Sequence, residues 1–288
     1  MKTVTRREYK DRLFTKIFTD KENALSLYNA VNGTDYQNAE DLELYTIDDT
    51  VYMGMKNDVS FLFSDEMNLF EQQSTFNPNM PIRALMYLGR QYDKFIELND
   101  VNVYSQKLQT FPAPRCIMFY NGDAKVPARS SLRLTDAFGK KRKNSSVELI
   151  VDVYNINYGE NEELLNKCMA LHDYSLFVDA VKNGRRQGMS LDDAVEEAMK
   201  MAAKQRLLKG YFSGHRAEVK NMVLTEYDEE RVMRGFYKDG VEDGLAKGLE
   251  AGRREANIAA ARNLKLKGVA IEIIAECTGL SVEEIKAL

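Results

Sequence analysis

Cysteine is scarce in this sequence, with three residues in 288, and Cys116, Cys168 and Cys277 are too widely spaced to form a Cys-x-x-Cys pair. That spacing excludes a zinc knuckle and a disulfide framework, and it fits a chain kept in a reducing compartment. No apolar run is long enough to cross a bilayer, and the opening stretch MKTVTRREYKDRLF has no apolar centre of the kind a signal peptide carries. The expectation is a soluble cytoplasmic protein with no membrane partner. Positive charge is not in excess: 40 basic side chains face 44 acidic ones, a net charge of -4. Such a balance excludes a protein that coats nucleic acid through a global field, so any DNA contact must come from local patches. A G-x-S-x-G elbow and a phosphate-cradling glycine loop are both missing, so no nucleotide cofactor is expected. The two histidines offer little, because His215 is isolated and His172 lies four residues after Cys168 on an apolar stretch that reads as packing.

What is present is enough apolar material, 44% of residues, for one substantial core and a smaller second region. From Arg7 to Val31, Leu13, Phe14, Ile17, Phe18, Leu25 and Tyr28 recur at helical spacing, with a break near Thr19-Asp20 and a stop at Asn32-Gly33. Short runs rich in Val, Tyr, Phe and Leu then predict strands over about Val51 to Met55, Asp58 to Phe63 and Met67 to Ser74. The polar cluster at 64–66 is short enough for a hairpin turn, which makes the second and third runs antiparallel. A helix is predicted from Met80 to Leu98, with Pro81 in its first turn, and buried strands over Arg115 to Tyr120 and Val147 to Tyr154. After Gly159 the pattern is helical to the end. The fold class is therefore α/β with an all-helical C-terminal region.

Side chains on a strand alternate faces, so Glu71 and Gln73 point one way and Gln72 the other. If the strands are hairpin neighbours, Asp58 lies beside that pair, and two carboxylates and an amide converge at one end of the sheet. Such an oxygen cluster suits Mg²⁺, with Mn²⁺ as the alternative ion. A bound divalent ion lowers the pKa of an attacking water and neutralises charge on a phosphorane. The D-x12-E-x-Q spacing alone reads equally as a solvated strand edge.

The words around it say more. NDVSFLFSDEMNLFEQQSTFNPNMPIRALMYLGRQYDK (57–94) resembles the signature block of the Rpn family of recombination-promoting nucleases, a branch of the PD-(D/E)XK superfamily whose members are also described as transposases. YKDRLFTKIF (9–18) resembles that family's first helix and GHRAEVKNMVLTEYDEE (214–230) its later helical part. The resemblance implies a restriction-endonuclease-like mixed sheet flanked by helices, with the metal held by Asp58 and Glu71. It implies a metal-dependent DNA endonuclease linked to recombination or transposition. The alternative is a DNA- or protein-binding module that keeps the fold with little catalytic activity. Gln73 stands where the superfamily usually has lysine; glutamine supplies no positive charge but can orient a water. Asp11 stands where the family's first-helix aspartate would, a further acid or a surface helix charge. Arg83, one turn before Tyr87, reads as a phosphate contact or as the partner of a nearby carboxylate.

Between Arg115 and Lys143 eight basic residues face two acidic ones, a local charge of +6. This is the obvious phosphate-facing segment, with Lys140, Lys141, Arg142 and Lys143 as a basic loop; a solvated loop is the plain alternative. Gly240, Gly244, Gly248 and Gly252 recur every fourth residue. Each interior glycine costs a helix roughly 1 kcal/mol relative to alanine, so this stretch predicts either a long connecting helix with close helix contact or a flexible connector. The last twenty residues resemble a helix-turn-helix half, with Ser281 and Glu284 as a capping box. Glu283 and Glu284 at its second helix suit a protein contact at least as well as DNA. The divisions expected are 1–160 as the nuclease-like core, 161–236 as a helical region, 237–268 as the connecting helix and 269–288 as the tail. A homodimer is expected, because cutting both DNA strands with one site per chain is simplest with two copies.

Overall fold

A computed structural model describes residues 13–45, 58–139 and 145–288, and for 228–240, 242, 243, 246 and 247 it describes the backbone alone. The chain forms two compact units, Met1–Glu226 and Tyr227–Leu288.

The first unit is mixed α/β. Its sheet comprises β1 (Glu43–Leu44), β2 (Val59–Phe63), β3 (Glu66–Gln73), β4 (Ala113–Tyr120), β5 (Arg129–Arg133) and β6 (Ile150–Asn155), in the order β1-β2-β3-β4-β6-β5. β3, β4 and β6 run parallel, whereas β1, β2 and β5 pair antiparallel with their neighbours. The predicted hairpin joins β2 to β3: Phe63 pairs with Glu66, and Ser64 and Asp65 between them both take left-handed backbone, at φ 51 and 59. Two left-handed central residues twist the turn to match its strands, which offsets the local cost of placing side chains there. The predicted strand at 51–55 lies outside the described residues.

Helix α1 (Leu13–Phe18) and α2 (Lys21–Asn32) are separated where the sequence predicts the break. Asp20 makes that break by capping α2, its carboxylate accepting from Asn23 N at 3.0 Å, and Gly33 closes the helix at φ 68. The long crossover between β3 and β4 contains α3 (Met80–Leu98), whose first turn holds Pro81. Beyond β6 come α4 (Glu162–Lys167), α5 (Met169–Arg186), α6 (Leu191–Gln205), α7 (Tyr211–Gly214) and the start of α8 (Arg216–Leu266).

Both faces of the sheet are covered. Odd-numbered residues of β3, Met67 and Leu69, join Cys116, Met118, Tyr120, Val151 and Val153 in a core against Met80, Ala84, Tyr87 and Leu88 of α3. On the opposite face Phe61, Phe70 and Phe119 form a chain of aromatic contacts that continues to Phe14 of α1 and Tyr174 of α5. The two faces follow from strand alternation, and the site inherits that division.

In the second unit, the remainder of α8, α9 (Ile271–Thr278) and α10 (Val282–Ala287) surround a small core of Ala261, Ile274, Leu280 and Ile285. The predicted capping box is present, with Ser281 Oγ accepting from Glu284 N and Glu284 accepting from Ser281 N at 2.9 Å. Along α8, a methyl group added at Gly244, Gly248 or Gly252 would meet none of the described residues within 4 Å. Among the described residues, close helix contact therefore does not offset the glycine cost at these three positions. None of the described helices is long and apolar enough to cross a membrane.

Candidate active site

The β2–β3 register fixes the geometry. Val59 pairs with Phe70, so one step further out Asp58 stands opposite Glu71, and facing residues of an antiparallel pair share a face. That face is the one covered by α3. Asp58 N donates to Glu71 Oε1 at 3.3 Å, and Asp58 Oδ2 accepts from Gln72 N at 2.7 Å. The two carboxylates are thus bound to each other's backbone neighbourhood at the C-terminal end of β3.

Glu71 is buried, 3% exposed, while Asp58 is half-buried at the end of the hairpin. Gln73, the last residue of β3 and half-buried, follows Glu71 on the same face. Its carbonyl accepts from Asn121 N at 3.1 Å, which extends the β3–β4 pairing past Tyr120. Asn121 continues into a polar network on the opposite face. Gln72 Nε2 donates to Asn121 Oδ1 at 2.8 Å, Asn121 Nδ2 donates to the Tyr174 hydroxyl at 3.1 Å, and Lys182 Nζ donates to the Asn121 carbonyl. The ends of β3 and β4 are therefore held from both sides. Gly122 adds to this closeness, because a β-carbon there would lie 1.9 Å from the Ser74 carbonyl oxygen.

Helix α3 brings Arg83 to the carboxylates. Arg83 Nη2 lies 3.7 Å from Glu71 Oε2 and donates to the Tyr87 hydroxyl at 2.9 Å. The Tyr87 phenol is held above its ordinary range, first by burial and then by the negative charge of Glu71, with Arg83 pulling the other way. Burial, reinforced by the charge of Glu71, pushes the Cys116 thiol up to about 12.

Of the residues named from sequence, the fold brings together Asp58, Glu71 and Arg83, and Gln73 follows Glu71 on the same face of β3. Asp11 and the basic run Lys140, Lys141, Arg142 and Lys143 lie outside the described residues. The other arginines of the basic segment lie on strands. Arg115 lies in β4 and donates to Asn32 Oδ1 at 3.1 Å on the face away from α3, Arg129 and Arg133 lie in β5, Arg129 covers the Tyr154 ring, and Arg133 pairs with Glu148 at 3.3 Å. Tyr92 spends its hydroxyl on the Pro112 carbonyl at 2.8 Å, a structural tie. Cys168 is buried and its thiol is raised chiefly by that burial, consistent with packing and opposed to a nucleophile.

The donor set suits a hard cation. Two facing carboxylates, with an amide side chain two residues along the same strand face, are oxygen donors of the kind Mg²⁺ takes when water and phosphate complete its shell. Among the described residues no group of three or more His, Cys, Asp or Glu side chains is placed to hold a metal ion. The Asn121 network was missed in the sequence, where an isolated asparagine after a strand carries no signal of its partners. Comparison with protein-family models, curated proteins and solved structures finds no match.

Proposed function

We propose that this chain is a metal-dependent DNA endonuclease of the PD-(D/E)XK type, acting in recombination or transposition as the Rpn family it resembles. The observation that carries the reading is the mutual hold of Asp58 and Glu71 on the α3 face, with Gln73 next on that face. In this reading Asp58 and Glu71 hold Mg²⁺ or Mn²⁺, which when bound supplies a more acidic water and a positive charge against the phosphate. The chain's own residues do the rest. Gln72 N fixes the Asp58 carboxylate, Gln73 orients a water through its amide, and Arg83 faces the Glu71 carboxylate from α3. Asp11 is a further acid, and the Lys140, Lys141, Arg142 and Lys143 run holds the DNA backbone. Two copies would cut both strands of a duplex.

The competing reading, a DNA- or protein-binding module that keeps a nuclease-like fold, draws on Gln73 standing where lysine is usual. Supercoiled plasmid incubated with the protein in Mg²⁺, Mn²⁺ or EDTA separates the two. The nuclease reading expects nicking in either metal, none in EDTA, and a loss of at least about a hundredfold in Asp58→Ala and Glu71→Ala. Equal nicking by all three proteins removes the assignment. No nicking by any, with salt-sensitive DNA retention intact, favours the binding module. A rate gain in Gln73→Lys would show that the missing cation limits turnover.

A further inference from the structure

A cation on a neighbouring helix pairs with Glu71. Glu71 has a side chain 4% exposed, and a carboxylate so buried needs a compensating charge. Gln73, on its own strand, has none to give. Arg83 of α3 faces it, but at 3.7 Å the guanidinium stands outside hydrogen-bond range, while the same Nη2 makes its hydrogen bond to Tyr87 at 2.9 Å. Arg83 is also 31% exposed, so it has a way out to solvent that Glu71 lacks. The ion pair is thus one in which the anion is fixed by the sheet, and the cation is held back by a tyrosine and able to leave.

We infer that Arg83 is a built-in counter-cation that competes with the divalent ion for Glu71, so that metal entry displaces the guanidinium, with Tyr87 setting how strongly Arg83 competes. The inference rests on the metal-dependent reading above. Its physical basis is that an ion coordinated by Glu71 would sit within a few ångströms of a second positive charge in a partly desolvated site, where like charges repel strongly. Tyr87 holds the guanidinium short of Glu71 and thereby limits that repulsion. Arg83 is a positioning residue in this account, because it acts on the metal through a shared carboxylate.

Opposite effects are expected from the two partners. Mn²⁺ alone, without DNA, is titrated into the full-length protein, with free Mn²⁺ read by electron paramagnetic resonance. Arg83→Gln removes the competitor and is expected to tighten Mn²⁺ binding about tenfold. Arg83→Lys keeps the charge and is expected to stay within about threefold of wild type. Tyr87→Phe frees the guanidinium to close on Glu71 and is expected to weaken binding by about threefold. A purely structural role for Arg83 would make Arg83→Gln and Tyr87→Phe both weaken binding, and that result overturns the inference. So does equal affinity in wild type and Arg83→Gln. If Mn²⁺ binds wild type and Arg83→Gln but is indifferent to Glu71→Gln, the metal reading itself fails, an outcome separate from the first two; binding to neither protein removes both.

Discussion

Asp58 and Glu71 fix each other: the amide of Asp58 donates to the Glu71 carboxylate at 3.3 Å, while the Asp58 carboxylate accepts from the amide next to Glu71, that of Gln72, at 2.7 Å. A hydrogen bond to a charged acceptor contributes more than a neutral one, so the Asp58 charge stabilises the open end of the β2–β3 hairpin. Asp58→Asn keeps the shape and one acceptor oxygen but removes the charge. The expected cost is about 1 kcal/mol, seen as a lower urea midpoint at unchanged slope, together with loss of Mn²⁺ binding. An unchanged midpoint would show that the carboxylate is not structural.

Gly122 sits where the end of β4 closes on the residue after Gln73. A β-carbon there would meet the Ser74 carbonyl at 1.9 Å and the Tyr120 hydroxyl at 2.5 Å, and the first of these is backbone that cannot swing aside. Gly122→Ala is expected to cost about 2 kcal/mol by overpacking and to displace the β3 terminus that carries Gln73. Chemical denaturation checks the first effect. A variant as stable as wild type would mean that the two segments part without strain.

Stability in acid should depend on the tie between α6 and α8. Glu196 accepts hydrogen bonds from Lys220, at 2.9 Å, and from Arg216, which lower its carboxyl from 4.5 to about 2. A carboxyl depressed in the folded state stabilises the fold above its unfolded value and loses that contribution as pH falls through the folded one. The window is therefore from about 4.5 down to about 2. Lys220, raised by Asp192 and Glu196, has the opposite sign and loses its contribution only at strongly alkaline pH. Glu196→Gln should melt below wild type at pH 7 and converge with it near pH 2, followed by circular dichroism. Parallel melting curves across that range would remove the tie.

Much of this fold is legible in the sequence. The bounds of α3, Met80–Leu98, follow from its apolar stripe and from Pro81, and the Thr19-Asp20 break follows from an aspartate that prefers to cap. The β2–β3 hairpin was legible because both strands are buried and densely apolar. β5 was not, since Arg129–Arg133 is an edge strand with alternating exposed and half-buried residues, and its arginines suggest a loop. β1 is only two residues long, Glu43–Leu44, too short to show a period. At the site, strand alternation predicts that Glu71 and Gln73 share a face. It carries no information on where the Asp58 carboxylate turns or on which helix brings a cation, because both depend on contacts between distant elements. The Arg83–Glu71 pair spans β3 and α3, and both of its readings in the sequence remained open for that reason.

The claim on which the functional account turns is that Asp58 and Glu71 together hold a divalent ion, and anomalous diffraction from crystals soaked in Mn²⁺ tests it most directly. The account predicts one strong anomalous peak at about 2.1 Å from a carboxylate oxygen of each residue, the range hard cations of this size adopt. Repeating the soak with Glu71→Gln should remove the peak. A wild-type structure with both carboxylates ordered and no peak between them, or with the ion bound elsewhere, would contradict it.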